Sequence, residues 1–201
     1  MPAQSVFDKK TQDNMKYNTV DGMFAVSSDN FSSPYLGLFA LSFGATTSQI
    51  GLLNAFPALL GNILQFPYAL LTEKLGCRRK LIIIGSLGNR LSWLLIAFLP
   101  FLVPAHLAVP LVIFLATLRI VLGNLGVPAW TAIQAELIPK AARGRYYSNR
   151  NQILNIIGLI TTLVAGRLLK LSFPMSYQIL FVAATVMGIF SLLAFTRLDI
   201  N

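Results

Sequence analysis

The chain has 201 residues, of which 55% are hydrophobic and only 11% are charged, and its net charge is +9. An ordinary soluble domain is about a quarter charged, so this composition argues against a soluble protein. Several apolar stretches approach the ~20 residues that a helix needs to cross ~30 Å of hydrocarbon. The alternation of a membrane β-barrel is missing, so the sequence predicts an all-α membrane protein.

Six apolar segments predict six transmembrane helices, separated by turn-forming residues. The first predicted helix is the most polar in its first half. Residues 1–18 are polar and are expected to form a cytoplasmic tail rather than a secretory signal, and residues 197–201 a cytoplasmic end. The predicted bundle covers 19–196, with helices at 19–43, 47–71, 81–103, 107–137, 149–171 and 175–196.

The basic residues lie mostly on one side of this arrangement. The positive-inside rule therefore predicts a protein of the cell membrane with both termini in the cytoplasm. Only Arg167 and Lys170 fall on the other side. Because the bases occupy short loops rather than one exposed face, a nucleic-acid partner is not expected. The cytoplasmic bases are Lys9, Lys10, Lys16, Lys74, Arg78, Arg79, Lys80, Lys140, Arg143, Arg145, Arg150 and Arg197.

Three charged residues fall near the middle of predicted spans: Asp29, Arg90 and Arg119. Each lies ~14–18 Å from the start of its span, close to the bilayer midplane. Such a charge costs at least ~2.5–3.5 kcal/mol, so it normally faces a partner or a wet cavity. One acid against two bases leaves a spare guanidinium, which favours an anionic substrate. The alternative is a structural ion pair that locks helices together.

Polar and small residues form stripes on several predicted helices. Asn54 and Asn62 lie on the second span and Asn155 on the fifth. Each stripe either packs against another helix or lines a polar path, to which these amides could add hydrogen bonds. The first, second, fourth and fifth spans are polar in this way, whereas the third and sixth are mostly apolar. This order predicts two three-helix repeats of inverted topology.

The fourth span contains the sequence GNLGVP at 123–128. Pro128 removes a backbone donor, and Gly123 and Gly126 weaken the same turn. The pattern indicates a helix that bends beside Arg119.

Three segments resemble the major facilitator superfamily. The stretch ALLTEKLGCRRK (69–80) is similar to the family's signature between its second and third helices, with Ala69 in place of a glycine and Cys77 in place of a base. LRIVLGNLGVPAW (118–130) resembles its fourth helix, with Arg119 at the intramembrane arginine. ELIPKAARGRYYS (136–148) resembles the next loop. The fifth span lacks the Gly-Pro pair that is usual in drug–proton antiporters of this family.

The resemblance implies a transporter that moves a small solute or ion by alternating access, rather than an enzyme. The loop acid Glu73 would pair with basic groups at the cytoplasmic end and hold one of the two shapes. The expected gating residues are Glu73, Lys74, Gly76, Arg78, Arg79 and Arg143. A loop that only sets topology is the alternative.

The family normally has twelve spans, so six spans resemble its N-terminal half. The polar stripes then need a second six-helix unit, supplied by the rest of a longer protein, by a separate chain or by a homodimer. The other partners expected are the lipid bilayer and the solute. A non-transporting scaffold, sensor or assembly subunit is the alternative function. No metal-ligand cluster or nucleophile motif occurs, so neither a metal site nor a cofactor is expected.

Overall fold

The computed structural model describes residues 8–199, and all regular structure in that range is helical. Two helices are broken, so the elements make six crossing units, as predicted for an all-α bundle. The elements are α1 (Lys9–Ser32), a 3₁₀ turn (Ser33–Tyr35), α2 (Leu36–Ser42), α3 (Thr47–Leu75), α4 (Arg78–Leu102), α5 (Ala105–Asn124), α6 (Val127–Leu137), α7 (Lys140–Leu168) and α8 (Met175–Thr196).

Five of these units, counting α5 and α6 as one, are long and apolar enough to span a membrane; α1 is the exception. The buried residues of α1 are all polar or glycine: Asn14, Asn18, Asp21, Gly22, Ser27, Ser28 and Ser32. A helix with such a face cannot be placed by the hydrophobic effect alone. It is stabilised within the bundle by hydrogen bonds to its neighbours.

Two helices begin earlier than the sequence predicts. The α1 helix begins at Lys9 instead of 19, and α7 begins at Lys140 instead of 149. Hydropathy marks only the apolar part of a helix, whereas backbone hydrogen bonding continues into the polar region at the membrane surface. Arg143 and Arg145, which lie between the predicted fourth and fifth spans, therefore lie inside a helix. The predicted division into a tail at 1–18 and a bundle at 19–196 stays a prediction.

The predicted bend in the fourth span is confirmed as a break between α5 and α6. The α5 helix ends at Asn124, and α6 begins at Val127 with Pro128 in its first turn. Proline is tolerated there because the first backbone N–H groups of a helix have no intrahelical acceptor.

Both ends of α3 have well-defined caps. The Thr46 hydroxyl accepts a hydrogen bond from the backbone N–H of Gln49, whose side-chain oxygen accepts one from the backbone N–H of Thr46. This capping box satisfies two backbone donors. At the other end Gly76 has φ of +61°, a left-handed conformation that favours glycine and turns the chain into α4.

Helix packing follows the two predicted three-helix repeats. In the first repeat the helices are α1, α3 and α4; in the second they are α5, α7 and α8. The most extensive contacts join α1 to α7 and α8, α5 to α3 and α4, and α4 to α8. Exchanging the repeats converts this set of contacts into itself, which is the pattern of an internal two-fold relation.

A matching pair of close contacts supports the same relation. The amide of Asn30 on α1 donates to the carbonyl oxygen of Gly158 on α7, at 3.1 Å. In the equivalent contact between the repeats, a Cβ added to Gly61 on α3 would lie 2.6 Å from the amide nitrogen of Asn124 on α5. In both contacts, an asparagine from the first helix of one repeat packs on a mid-helix glycine of the other repeat.

Two hydrophobic clusters lie at opposite ends of the bundle. One contains Phe39, Trp93 and Phe181, and the other contains Ile133 and Phe195. Along α4 and α8, the intramembrane polar residues fall between these clusters. The deep charges are therefore enclosed above and below by apolar packing, which keeps them at a fixed depth.

The close approach of α4 to α5 depends on Gly85. An added Cβ there would lie 2.6 Å from the backbone oxygen of Leu122, which cannot move without the helix. We expect Gly85→Ala to lower the free energy of unfolding by about 1–3 kcal/mol, measured by SDS titration in mixed micelles. Gly51→Ala is the matched control, because nothing lies within 4 Å of its Cβ position. Equal stability of the two variants would contradict the packing argument.

Candidate functional site

Arg90 of α4 joins α1 near the middle of the bundle. Its Nη1 donates to the Ser28 hydroxyl at 3.0 Å and lies 3.7 Å from Oδ1 of Asp29. The Arg90 side chain is only 12% exposed, whereas that of Asp29 is 59% exposed. Two of the three predicted midplane charges therefore meet. Asp29 faces outward from the bundle, and Arg90 faces inward.

The α8 helix holds this pair in place. The Ser28 hydroxyl donates to the backbone oxygen of Ala184 at 2.6 Å, and the Thr185 hydroxyl donates to the backbone oxygen of Arg90 at 3.3 Å. The aliphatic part of Arg90 lies against Gly188, where any side chain would collide with it. Buried Nε of Arg90 has no hydrogen-bond partner among residues 8–199.

Arg119 occupies a different environment on α5. Its guanidinium lies over the Trp93 ring, 4.4 Å from the centroid, and its side chain is buried. Trp93 in turn stacks on Phe181 at 5.2 Å. Arg119 interacts electrostatically with Asp29 and Arg90 but forms no ion pair with Asp29 within 4.0 Å. A cation–π contact, worth ~2 kcal/mol or more when desolvated, thus holds the third predicted charge.

The three asparagines predicted to assist the charges lie away from them, on exposed faces. Asn54 donates to the backbone oxygen of Ile50 in its own helix, at 3.0 Å. Asn62 accepts a 3.4 Å hydrogen bond from Gln65, also on α3. Asn155 on α7 makes no hydrogen bond with any residue between 8 and 199. These amides would face whatever packs on α3 and α7.

Sequence reasoning missed a buried acid, Asp21 of α1. Its side chain is almost completely buried, and its Oδ1 accepts a 2.6 Å hydrogen bond from the Ser191 hydroxyl of α8. Asp29 is therefore not the only intramembrane acid. Asp21 was overlooked because it lies beside the predicted start of its helix. The sixth span was predicted to be mostly apolar, but α8 has buried hydroxyl groups on Ser176, Thr185 and Ser191.

Arg150 of α7 approaches the same region. Its Nε donates to the backbone oxygen of Asn18 at 3.3 Å, and its guanidinium lies against Gly22. Both contacts are with α1, within one turn of Asp21. The predicted fifth span already contained Arg150, but its contacts with α1 follow only from the packing of α7 on α1.

The predicted gating residues mostly hold helix ends. Arg79 donates to the backbone oxygen of Thr196, at the end of α8. Arg143 donates to the backbone oxygens of Ala135 and Ile138, at 2.6 and 3.1 Å, where α6 ends. Bases at these positions satisfy free carbonyl groups and interact favourably with the helix dipole.

Besides the Lys10–Asp199 pair at 2.8 Å, this end of the bundle has an acid–base pair of Arg78 and Glu136, at 2.9 Å, between the start of α4 and the end of α6. Both side chains are largely exposed, so the pair is weak. Glu73 and Lys74 are exposed and form no ion pair with any residue between 8 and 199. The role expected for Glu73 stays a prediction, and any partner for it lies outside the described range.

A hydrogen-bond network closes the same end of the bundle. The Asn18 amide donates to Oε1 of Gln134 and to the Tyr146 hydroxyl, both at 2.9 Å. Tyr146 donates to the backbone oxygen of Met15, and the Tyr147 hydroxyl donates to Gln134. Side chains of α1, α6 and α7 are thereby joined in one connected network.

The described part of the chain contains no group of three His, Cys, Asp or Glu residues that could hold a metal ion. The polar side chains described above, on α1, α4, α5, α7 and α8, carry guanidinium, carboxylate, hydroxyl and amide groups.

Comparison with known proteins agrees with this architecture. The sequence model described as Major Facilitator Superfamily matches residues 22–200, which is most of the chain. No match was found among curated proteins. Members of the matched family are transporters rather than enzymes. The chain therefore belongs to the Major Facilitator Superfamily and is a multi-pass membrane transporter protein of that family.

Proposed function

We propose that the chain moves a small solute carrying an anionic group across the cell membrane by alternating access. In this proposal, Asp29, Arg90 and Arg119 form the midplane part of the path, and Asn54, Asn62 and Asn155 add hydrogen bonds along it. The observation that carries the proposal is the position of Arg90. Its guanidinium reaches an outward-facing carboxylate on one side while part of it stays unpaired inside the bundle.

The balance of deep charges supports an anionic group. Two acids, Asp21 and Asp29, accompany three bases, Arg90, Arg119 and Arg150, so one positive charge is left over. A guanidinium can bind a carboxylate or phosphate through two parallel hydrogen bonds. An anionic solute would neutralise the surplus during its passage, which lowers the cost of crossing the low-dielectric interior.

We propose that a second six-helix unit packs on α3 and α7. These helices are the least buried of the five apolar ones, and they expose the amides of Asn54, Asn62 and Asn155. An amide facing hydrocarbon without a partner costs several kcal/mol, about 4–8 on an alkane scale. The second unit could come from a longer protein, a separate chain or a second copy of this one.

In this scheme the cytoplasmic end works as a gate. Both termini face the cytoplasm, because most loop bases lie at their end of the bundle. Arg78, Arg79 and Arg143 hold helix ends within this unit. Glu73 is left to pair with a base of the second unit, and the pair would break and form again as the two units rock.

Solute transport is tested in proteoliposomes, by measuring currents on solid-supported membranes with the anions lactate, succinate and benzoate. At least one of these anions should give a current that Arg90→Gln reduces by about tenfold or more, because a charge-assisted hydrogen bond is lost. The neutral double variant Asp29→Asn/Arg90→Gln separates function from structure. If it transports like the wild type, the pair is only a structural lock, and the proposal is wrong.

Alternating access can be tested by labelling introduced cysteines. Cys77 is the one cysteine of the chain, so Cys77→Ser gives a cysteine-free background. In that background we expect Asn62→Cys to react with a membrane-impermeant maleimide added from either side. Ile63→Cys is the control, because this exposed apolar position would face lipid, where thiolate does not form readily. Labelling of Asn62→Cys from neither side would contradict a path along α3.

The gating role is tested by Glu73→Gln. We expect slower transport with unchanged insertion and thermal stability, because the exposed carboxylate supports no contact within the described residues. Glu136→Gln is the matched control, since it removes an exposed pair worth about 0–1 kcal/mol. Unchanged transport in Glu73→Gln would instead favour a loop that only sets topology.

A further inference from the structure

A cavity of about 240 Å³ lies among the helices of the six-helix unit, beside the hydrophobic cluster that contains Ile133 and Phe195. Residues of α1, α4, α7 and α8 line it, together with the α5–α6 break. It is distinct from the exposed faces of α3 and α7, none of whose stripe asparagines reach it. Its charged lining residues are Asp21, Arg90 and Arg150.

The charged groups of this cavity do not neutralise one another by forming ion pairs. Asp21 forms no ion pair within 4.0 Å with Arg90, Arg150 or any other base in the described range. Its Oδ1 accepts from Ser191, but no residue between 8 and 199 donates to its Oδ2. A nearly buried carboxylate with half of its acceptor capacity free is costly unless another group supplies the missing contact.

The two arginines also keep free donors. Arg150 uses only Nε, which donates to Asn18, and neither of its Nη groups donates to a described residue. Arg90 uses only Nη1, which contacts Ser28 and Asp29. The cavity thus offers guanidinium N–H groups on one side and a carboxylate oxygen on another.

The net charge of the cavity determines the kind of ligand that fits it. Arg90 is neutralised by Asp29, which leaves Asp21 and Arg150 as one negative and one positive group in the same space. A ligand with a single charge would satisfy one of them and leave the other unpaired. A ligand with both an anionic and a cationic group would satisfy both.

The remaining lining is apolar. Trp130, Phe195, Ile82 and Leu192 form a wall beside the charged groups. Aromatic and branched side chains of this kind bind a compact apolar body, while a few polar groups orient it.

We infer that this cavity binds a small zwitterion of the amino-acid type with an apolar side chain. The carboxylate is bound by Arg150 with Arg90 beside it, the ammonium group by Asp21, and the side chain by the wall at Trp130. This rests on the proposed function, since the bound molecule would be the transported solute. Arg90 links the cavity to Asp29, so binding of the ligand would change the interaction between Arg90 and the outward-facing carboxylate of Asp29.

The test is binding to the full chain in detergent micelles, by isothermal calorimetry and thermal shift. The probes form two matched sets that differ only in charged groups: L-phenylalanine, 3-phenylpropionate and phenethylamine; L-leucine, 4-methylpentanoate and 3-methylbutylamine. In at least one set the zwitterion should bind about tenfold or more tightly than both single-charge analogues, because each loses a charge-assisted contact.

Variants assign the two ends of the ligand. Asp21→Asn should bring the affinity of the zwitterion down to that of its carboxylate analogue, and Arg150→Gln should bring it down to that of its amine analogue. The matched controls are Asp13→Asn and Arg145→Gln, which change exposed residues of the same two helices. Both controls should bind the zwitterion as the wild type does.

The inference is overturned if neither zwitterion binds to the wild type more tightly than its single-charge analogues. This comparison uses only the wild-type protein, so it remains valid if a variant fails to fold. The inference is also overturned if folded Asp21→Asn keeps full discrimination against the carboxylate. Binding needs no transport, so currents with an anion but no zwitterion preference would reject this inference alone. Zwitterion binding without uptake of the same radiolabelled zwitterion into proteoliposomes would instead reject the proposed transport function.

Discussion

The fold depends on one buried cation, Arg90. At a depth in the membrane where water is absent, its guanidinium needs hydrogen-bond and ion-pair partners from the protein. Its guanidinium reaches Ser28 and Asp29 on α1, its backbone oxygen is bonded by Thr185, and its stem fits over Gly188. Three helices, α1, α4 and α8, are thereby joined at one point. In a bilayer, apolar burial does not drive helices together, so such contacts carry much of the specificity.

The same constraint explains why α1 can be so polar. Its buried face presents amides, hydroxyls and a carboxylate, and these bond to α6, α7 and α8. Because every contact is directional, the register of α1 against its neighbours is narrowly defined. The α3 and α5 helices use the opposite solution, close packing around Gly61. Polar bonding of α1 and small-residue packing between α3 and α5 both join one repeat to the other.

The two ends of the bundle differ in how they are held. The end opposite the termini is an aromatic cluster around Phe39, with edge-to-face contacts to Phe43 and Phe181. The end with the termini is held by arginines on helix carbonyl groups and by the network at Gln134. Exposed ion pairs and carbonyl caps exchange partners at low cost, whereas aromatic packing does not. In the proposed cycle, the end with the termini is accordingly the one suited to rearrangement.

The sequence by itself determined the class of protein, the six spans, their order in two repeats and the break near Pro128, because each follows from hydropathy and backbone chemistry within a short window. It also identified Asp29, Arg90 and Arg119 as deep charges. Only the tertiary structure decided their partners. It paired Arg90 with Asp29, placed Arg119 on Trp93, left Asn155 on an outer face, and brought Asp21 and Arg150 to one cavity. The physical reason is that the depth of a residue follows from its position along one helix. Its contact partner depends on how two helices are rotated and aligned against each other.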